Sequence, residues 1–213
     1  MTEASTPPAA QTRGEKKERT RRAILDAALR LSEETGLVGL SLRQVAKEVG
    51  IVPTAFYRHF ASIDELGLAL VEESFTSLRA MIRDVRQGNP PLEEIVDRSV
   101  QVLDEHVRAR RDHFTFIARE RSGGSTLVRN AVRHEFALFE RELATDLARL
   151  PMDQWSAEDL QVLSHLIIVA MVATAEEILE APDRERTAIK SRARTQLLIV
   201  IVGAVNWRSR QPD

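Results

Sequence analysis

Residues 53–60 read PTAFYRHF and hold the only tyrosine of a 213-residue chain, next to an arginine and a histidine. A phenol, a guanidinium and an imidazole in succession are donors suited to anionic oxygens, phosphate above all. On a helix advancing about 100° per residue, Phe56 and Phe60 share a face with Pro53 that must turn inward. Thr54 and Arg58 point the opposite way, Ala55 and Tyr57 flank them, and His59 lies nearer the buried edge. Other chemistry has little to stand on. With no cysteine, disulfides, thiolate metal sites and cysteine nucleophiles are excluded. No Gly-rich phosphate loop, HExxH pair or nucleophile elbow is present, and the five histidines are scattered. We therefore expect no enzyme, no catalytic residue, no metal and no cofactor.

The elements that position these side chains are helical throughout, since no stretch alternates apolar and polar residues as a strand does. Helix one spans about residues 16–35, with Ile24, Ala28 and Leu31 on one face, and stops at Gly36. Ser41 and Gln44 form a capping box opening helix two, which ends at Gly50. Pro53 suits the first position of an eight-residue helix three. Ser62 and Glu65 open a long helix four, and Gly88 to Pro91 break the chain, a candidate boundary. Helix five covers about 91–110, helix six starts near Asp112, and SGGS at 122–125 precedes helix seven, which reaches Leu150. Ser156 caps helix eight, with Trp155 placed to pack on Leu160, and Asp183 caps helix nine, ending near Arg208. The fold is all-α with about nine helices.

Charge is divided unevenly. The whole chain is formally −2, yet residues 1–60 carry ten Lys/Arg against seven Asp/Glu. Arg13, Lys16, Lys17, Arg19, Arg21 and Arg22 face only Glu15 and Glu18 nearby. Such a run is either a solvated helix face or the electrostatic footprint of phosphate binding. Helices two and three, joined by a tight turn at Gly50, have helix-turn-helix geometry. In a DNA major groove, Thr54 and Ala55 would meet base edges or a thymine methyl and Arg58 guanine or phosphate. Tyr57 and His59 would hold phosphates and fix register without reading sequence.

The segments LSLRQVAKEVGIV, PTAFYRHF and ASIDEL make residues 20–72 resemble the DNA-binding domain of the TetR family of bacterial transcriptional repressors. The resemblance implies that the start of helix two and the Tyr and His of helix three grip phosphates. The DNA-binding candidates are Arg21, Ser41, Arg43, Pro53, Thr54, Ala55, Tyr57, Arg58 and His59. Where many relatives have a lysine at the start of helix four, this chain has Ile63. With RERSGGS at 119–125 and HEFALFERELA at 134–144, the chain also looks like the FabR/DesT group, a likeness that covers about residues 16–150. Those repressors control unsaturated fatty-acid synthesis and respond to long-chain acyl thioesters.

The remaining helices carry more apolar surface than isolated amphipathic rods. Helix eight is apolar nearly all round and helix nine contains QLLIVIVGAV. Two such helices suit a four-helix homodimer contact, or else a fully buried monomer core. Phe114, Phe116, Ile117, Phe136 and Phe139 are either plain core or an apolar tunnel for an acyl chain. Arg119, Glu120 and Arg121 are a structural ion-pair group, or place an arginine at the thioester head group. The ligand candidates are Phe114, Ile117, Arg119, Arg121, Phe136 and Phe139, joined by Ile167 and Met171 of helix eight. The apolar runs at 166–172 and 197–205 are shorter than the roughly 20 residues of a membrane span. No signal peptide opens the chain, so we expect a cytoplasmic protein without a membrane partner.

Functionally, a 1–14 tail is expected before a 15–62 DNA-binding domain and a 63–213 ligand and dimer domain. The expected activity is a homodimeric regulator of fatty-acid metabolism genes, binding palindromic double-stranded operator DNA under control of long-chain acyl-CoA. The alternatives are an efflux or detoxification repressor answering another small hydrophobe and, more distantly, a helical lipid-binding or acyl-transfer protein.

Overall fold

The computed structural model describes residues 12–86, 92–149 and 155–208, and among these every regular element is helical. In chain order the α-helices are α1 (Arg13–Thr35), α2 (Leu42–Val49), α3 (Pro53–Phe56), α4 (Ile63–Arg86), α5 (Leu92–Ala109), α6 (Arg111–Gly123), α7 (Thr126–Leu147), α8 (Ala157–Glu180) and α9 (Arg186–Asn206). The expected break at Gly88 to Pro91 and the first eleven residues of the expected tail lie outside the described residues.

Several boundaries follow from side chains satisfying the free backbone groups of a helix end. α1 starts three residues before the apolar period indicates, because Thr12 and Glu15 form a reciprocal capping box. Residues 12–14 thus belong to this helix and its cap rather than to a tail. Ser41 and Gln44 cap α2 in the same way, and Gly50, at φ 73° and ψ 31°, ends it in the left-handed conformation glycine tolerates.

Three expectations change. Only Pro53–Phe56 of the expected eight-residue helix is α-helical. Tyr57, Arg58 and His59 form a tight turn in which the Arg58 and His59 N–H groups reach carbonyls three residues back, at 3.2 and 2.8 Å. That turn leads from one fully buried phenylalanine, Phe56, to the next, Phe60. Burial of each contributes about 1.5–3 kcal/mol, enough to override local helix continuation. Pro53 is exposed rather than inward, since the two phenylalanines alone fill that face. Asp183 does not cap α9. It starts a 3₁₀ turn, and its carboxylate pairs with Arg186 Nη2 at 3.0 Å.

One hydrophobic core runs from Ile24 on α1 through Phe56, Leu66 and Phe75 to Phe139 on α7 and Ile178 on α8. A smaller one joins Val96 and Val100 of α5 to Ala193 and Leu197 of α9. Beside it, the buried Asp104 carboxylate faces Arg186 Nε at 3.4 Å and Lys190 Nζ at 3.6 Å, fastening α9 to α5. Among the described residues α8 is the one helix long and apolar enough, by length and composition, to cross a membrane. The short apolar runs of the sequence had not suggested this. In the fold it packs against α5, α6, α7 and α9.

Candidate functional site

α2 and α3 stand as a helix-turn-helix unit: Val45 and Ala46 are buried at the contact and Gly50 makes the turn. Its outer surface is the polar one. Thr54 and Arg58 are exposed, Ala55 and His59 half-buried, and Tyr57 is 57% exposed with its ring edge-on to Phe56 at 6.2 Å. Packing on one side therefore fixes a phenol that is open on the other. Ser41 is exposed at the start of α2, where its hydroxyl bonds Gln44, and Arg43 is exposed two residues on. The Arg21 guanidinium lies 5.0 Å from the Phe60 ring centroid, a cation–π contact that seats α1 beside the turn. Ile63 packs against the core.

Arg58 and His59 also face α1. With Arg13, Lys16, Lys17 and Thr20 they wall a concavity of about 340 Å³. The His59 ring is pushed toward its neutral form first by burial, then by the charges of Lys17 and Arg21. Its Nδ1 has no hydrogen-bond partner among the described residues.

The phosphate role of these groups is open to test. Tyr57→Phe and His59→Ala should each weaken binding to all duplexes alike, by about 1–2 kcal/mol. Thr54→Val should instead change which bases are preferred. Fluorescence anisotropy on operator and unrelated duplexes separates the two, and a changed operator preference in Tyr57→Phe would reverse the assignment.

The second half of the molecule centres on aromatic rings. Phe75 of α4 meets Phe136 edge-on at 5.1 Å and Phe139 at 5.5 Å. Phe114, Ile117 and Phe139 are buried in the main core, and Phe136 packs partly buried against it. Met171 touches both cores, whereas Ile167 packs with the smaller one and is not brought to the phenylalanines. Arg119 is exposed and donates to the Glu34 carbonyl at 3.1 Å, and Arg121 pairs with Glu176 at 3.2 Å.

Three polar groups are buried in this region: Ser74 and His113, which sequence reasoning passed over, and Glu120, which it read only as part of an ion-pair group. Ser74 Oγ and His113 Nδ1 lie 2.9 Å apart between α4 and α6, and burial drives His113 toward its neutral form. Glu120 is 2% exposed, and its Oε1 accepts the Leu37 backbone N–H at 2.8 Å. Desolvation raises the pKa of this carboxyl, opposed by the Leu37 bond and by Arg119. A Cβ at Gly124 would lie 2.5 Å from Glu120 Oε2, so the glycine leaves the carboxyl its space. The signal was present in the spacing: 113, 116, 117 and 120 follow helical periodicity, which puts Glu120 on the apolar face rather than with its charged neighbours. Nearby, Ser125 Oγ donates to Asp64 Oδ1 at 2.7 Å. The end of α6 and the start of α7 are thereby bonded to the turn before α2 and to the first turn of α4.

A capped helix-turn-helix with exposed phosphate donors, bonded to a larger helical body, defines a DNA-binding regulatory protein. The profile of bacterial regulatory proteins of the tetR family matches residues 24–70, and that of the tetracyclin repressor-like C-terminal domain matches residues 90–203. The chain belongs to the tetR family and is a DNA-binding transcriptional regulator. Its fold is shared by a transcriptional regulator from Rhodococcus sp. Rha1, at 20% identity and TM-score 0.68 over 92% of this chain and 99% of that one. A TetR-family regulator from Syntrophomonas wolfei superposes with TM-score 0.72 at 13% identity, over 91% and 99% of the two chains. The fatty acid degradation regulator FadR from Bacillus halodurans gives TM-score 0.68 at 15% identity, over 84% and 94%.

Proposed function

We propose that this regulator represses fatty-acid metabolism genes in the bacterial cytoplasm, binding a palindromic operator as a homodimer that a long-chain acyl thioester modulates. Residues 15–62 then form the DNA-binding domain and 63–213 the effector and dimer domain. The carrying observation is the aromatic group Phe75, Phe136 and Phe139, packed between α4, which leads from the reading head, and α7. An apolar chain among these rings would alter how α6 and α7 press on α4. The likeness to the FabR/DesT group and the fatty-acid regulator from Bacillus halodurans, which has this fold, support the choice of ligand.

Dimerisation through α8 and α9 is supported by apolar side chains left facing water. Val162, Leu166 and Val169 form a stripe on α8, and Ile199, Val202 and Val205 a second on α9. A two-fold axis through these stripes would bury both in a four-helix contact.

An effector changes DNA affinity only if it binds the DNA-competent and incompetent states differently. A coupling of about 1–3 kcal/mol changes operator affinity from severalfold to about a hundredfold. Phe136→Trp should enlarge the half-buried ring that meets Phe75, abolish the response to long-chain acyl-CoA and leave DNA binding by the ligand-free protein largely intact. Titrating acyl-CoA into a labelled operator complex tests this, and a mutant responding as the wild type does would place the acyl chain elsewhere.

A second reading keeps the DNA function but makes the effector an uncharged hydrophobe, as in efflux repressors. It is favoured by the engagement of Arg119 with Glu34 and of Arg121 with Glu176, which occupies both candidate head-group arginines. Mass spectrometry of ligand copurified with the protein distinguishes the two.

A further inference from the structure

Leu37 is held by its backbone and by its side chain at once. Its N–H donates to Glu120 Oε1 at 2.8 Å, although the two residues are 83 apart in sequence. Its side chain, 1% exposed, packs where α4 meets α7: a Cβ at Gly67 would stand 2.3 Å from Leu37 Cδ2 and 2.8 Å from Val128 Cγ2. The turn then closes through the Leu40 N–H, which reaches the Leu37 carbonyl at 3.1 Å, and Ser41 caps α2 at the next position. A carboxyl of the larger helical body thus sets the place of a residue only four positions before Ser41, the first phosphate candidate on α2.

That carboxyl is 2% exposed, and its second oxygen, Oε2, has no hydrogen-bond partner among the described residues. The charged groups around it are committed elsewhere or face water. Arg119 on its own helix acts on it, but is exposed and bonded to the Glu34 carbonyl at the end of α1. Arg121 pairs with Glu176 of α8, and Arg129 of α7 donates to the Gly124 carbonyl at 2.8 Å. Asp64 of α4 accepts from Ser125, the Glu33 and Glu34 side chains of α1 are exposed, and α5 supplies no group that acts on Glu120. A neutral acid fits this seat. A carboxylate would carry charge on an oxygen without a donor, at the full cost of desolvation. Burial accordingly raises the pKa, and as pH rises through the raised value the ionised group is driven toward water. Leu37 also borders a hollow of about 280 Å³ with Leu40, Ser62 and Asp64, which gives the turn room to shift.

We propose that Glu120 is a positioning residue for the reading head and a proton-controlled latch: the neutral acid seats the Leu37 turn and with it the start of α2, whereas the carboxylate displaces that turn and weakens operator binding. The latch rests on the DNA-binding class of the chain and not on the identity of the effector. Charge, rather than loss of the bond, moves the turn, because any uncharged side chain at 120 leaves Leu37 packed against Gly67 and Val128. The chain is thereby a regulator that answers to pH as well as to its effector.

The test compares the full wild-type chain with Glu120→Gln, which stays uncharged at every pH, from the ordinary carboxyl range to neutrality at constant ionic strength. The Leu37 amide resonance is followed by NMR, and anisotropy gives the affinity for an operator selected from a random duplex library with the wild-type protein. In the wild type the Leu37 amide should shift in one step above the ordinary carboxyl range. Across that same step its operator affinity should fall by about fivefold or more relative to Glu120→Gln. His59 and His113 titrate in both proteins, so their effects cancel in the comparison. A merely structural hydrogen bond would leave the two affinity profiles parallel, and parallel profiles overturn the latch. A Leu37 amide that does not titrate overturns it too, as does an affinity ratio that moves the other way. Should the variant not fold, the wild type decides alone: its affinity step must coincide with the Leu37 step and not with that of the His59 ring resonances. A wild type without operator affinity at any pH overturns the latch together with the DNA-binding reading, whereas normal affinity with parallel profiles overturns the latch alone.

Discussion

Ile199→Glu should give a folded monomer that no longer holds a full palindromic operator. The side chain is 67% exposed in the isolated chain, so a carboxylate there costs the monomer little. In a two-fold contact through α8 and α9 the same carboxylate leaves water for an apolar surface, and symmetry presents it twice. A penalty of several kcal/mol weakens the dimer by about a hundredfold or more. Two half-sites about one helical turn or more apart require two joined reading heads, so operator affinity should fall with the dimer. Sedimentation should show the monomer, with a melting temperature close to that of the wild-type chain at equal dilution. A variant that remains dimeric and binds the operator at wild-type affinity would remove α9 from the interface.

The other large effect is expected at Glu120. Glu120→Ala leaves the Leu37 N–H without its acceptor inside the core. The cost should be about 1–3 kcal/mol, a fall of several degrees in Tm for a chain of this size. Glu120→Gln keeps an acceptor oxygen for that N–H, which makes it the informative comparison. Burial raises the folded-state pKa of this carboxyl above its unfolded value. Between the two values the folded chain binds more protons, so stability falls as pH rises across that window. Denaturant titrations of both proteins in the same buffers should therefore show the wild type losing stability relative to Glu120→Gln as pH rises from the ordinary carboxyl range to the raised value. A difference of opposite sign would mean that the carboxylate is held charged by a partner. The bond also ties α6 to the turn before α2, so Glu120→Ala should blunt any effector response more than it changes DNA binding by the ligand-free protein.

Much of this architecture is legible before any coordinates, for local reasons. Ser41 with Gln44, Gly50 and Ser156 mark helix ends through short-range hydrogen bonds, and each mark holds. The inward Phe56 and Phe60 follow from spacing alone. What escapes is set by distant partners. The Tyr57–His59 turn depends on two phenylalanines anchored in a common interior, not on the helix propensity of Tyr, Arg and His. Arg121 and Glu176 are 55 residues apart, and Glu120 and Leu37 83 apart, so neither bond can be read from local pattern. Among the candidate DNA-facing residues Ser41, Arg43, Thr54, Tyr57 and Arg58 are exposed, and so is Pro53, which the helical spacing had turned inward. The ligand candidates divide, with Ile167 drawn to the α5–α9 side and both arginines to protein groups.

The unbroken interior from Ile24 to Ile178 makes this chain a poor source of interchangeable parts. A reading head severed at residue 62 would lose Leu66 and Leu70, which share its core, and Phe56 and Phe60 would lose part of their cover. Chimaeras that transplant its DNA specificity onto another sensor must therefore carry the first turns of α4, the Leu37 turn and a matching end of α6 together. The unit of inheritance in such a graft is a packed junction, and a cut between recognition and sensing passes through it.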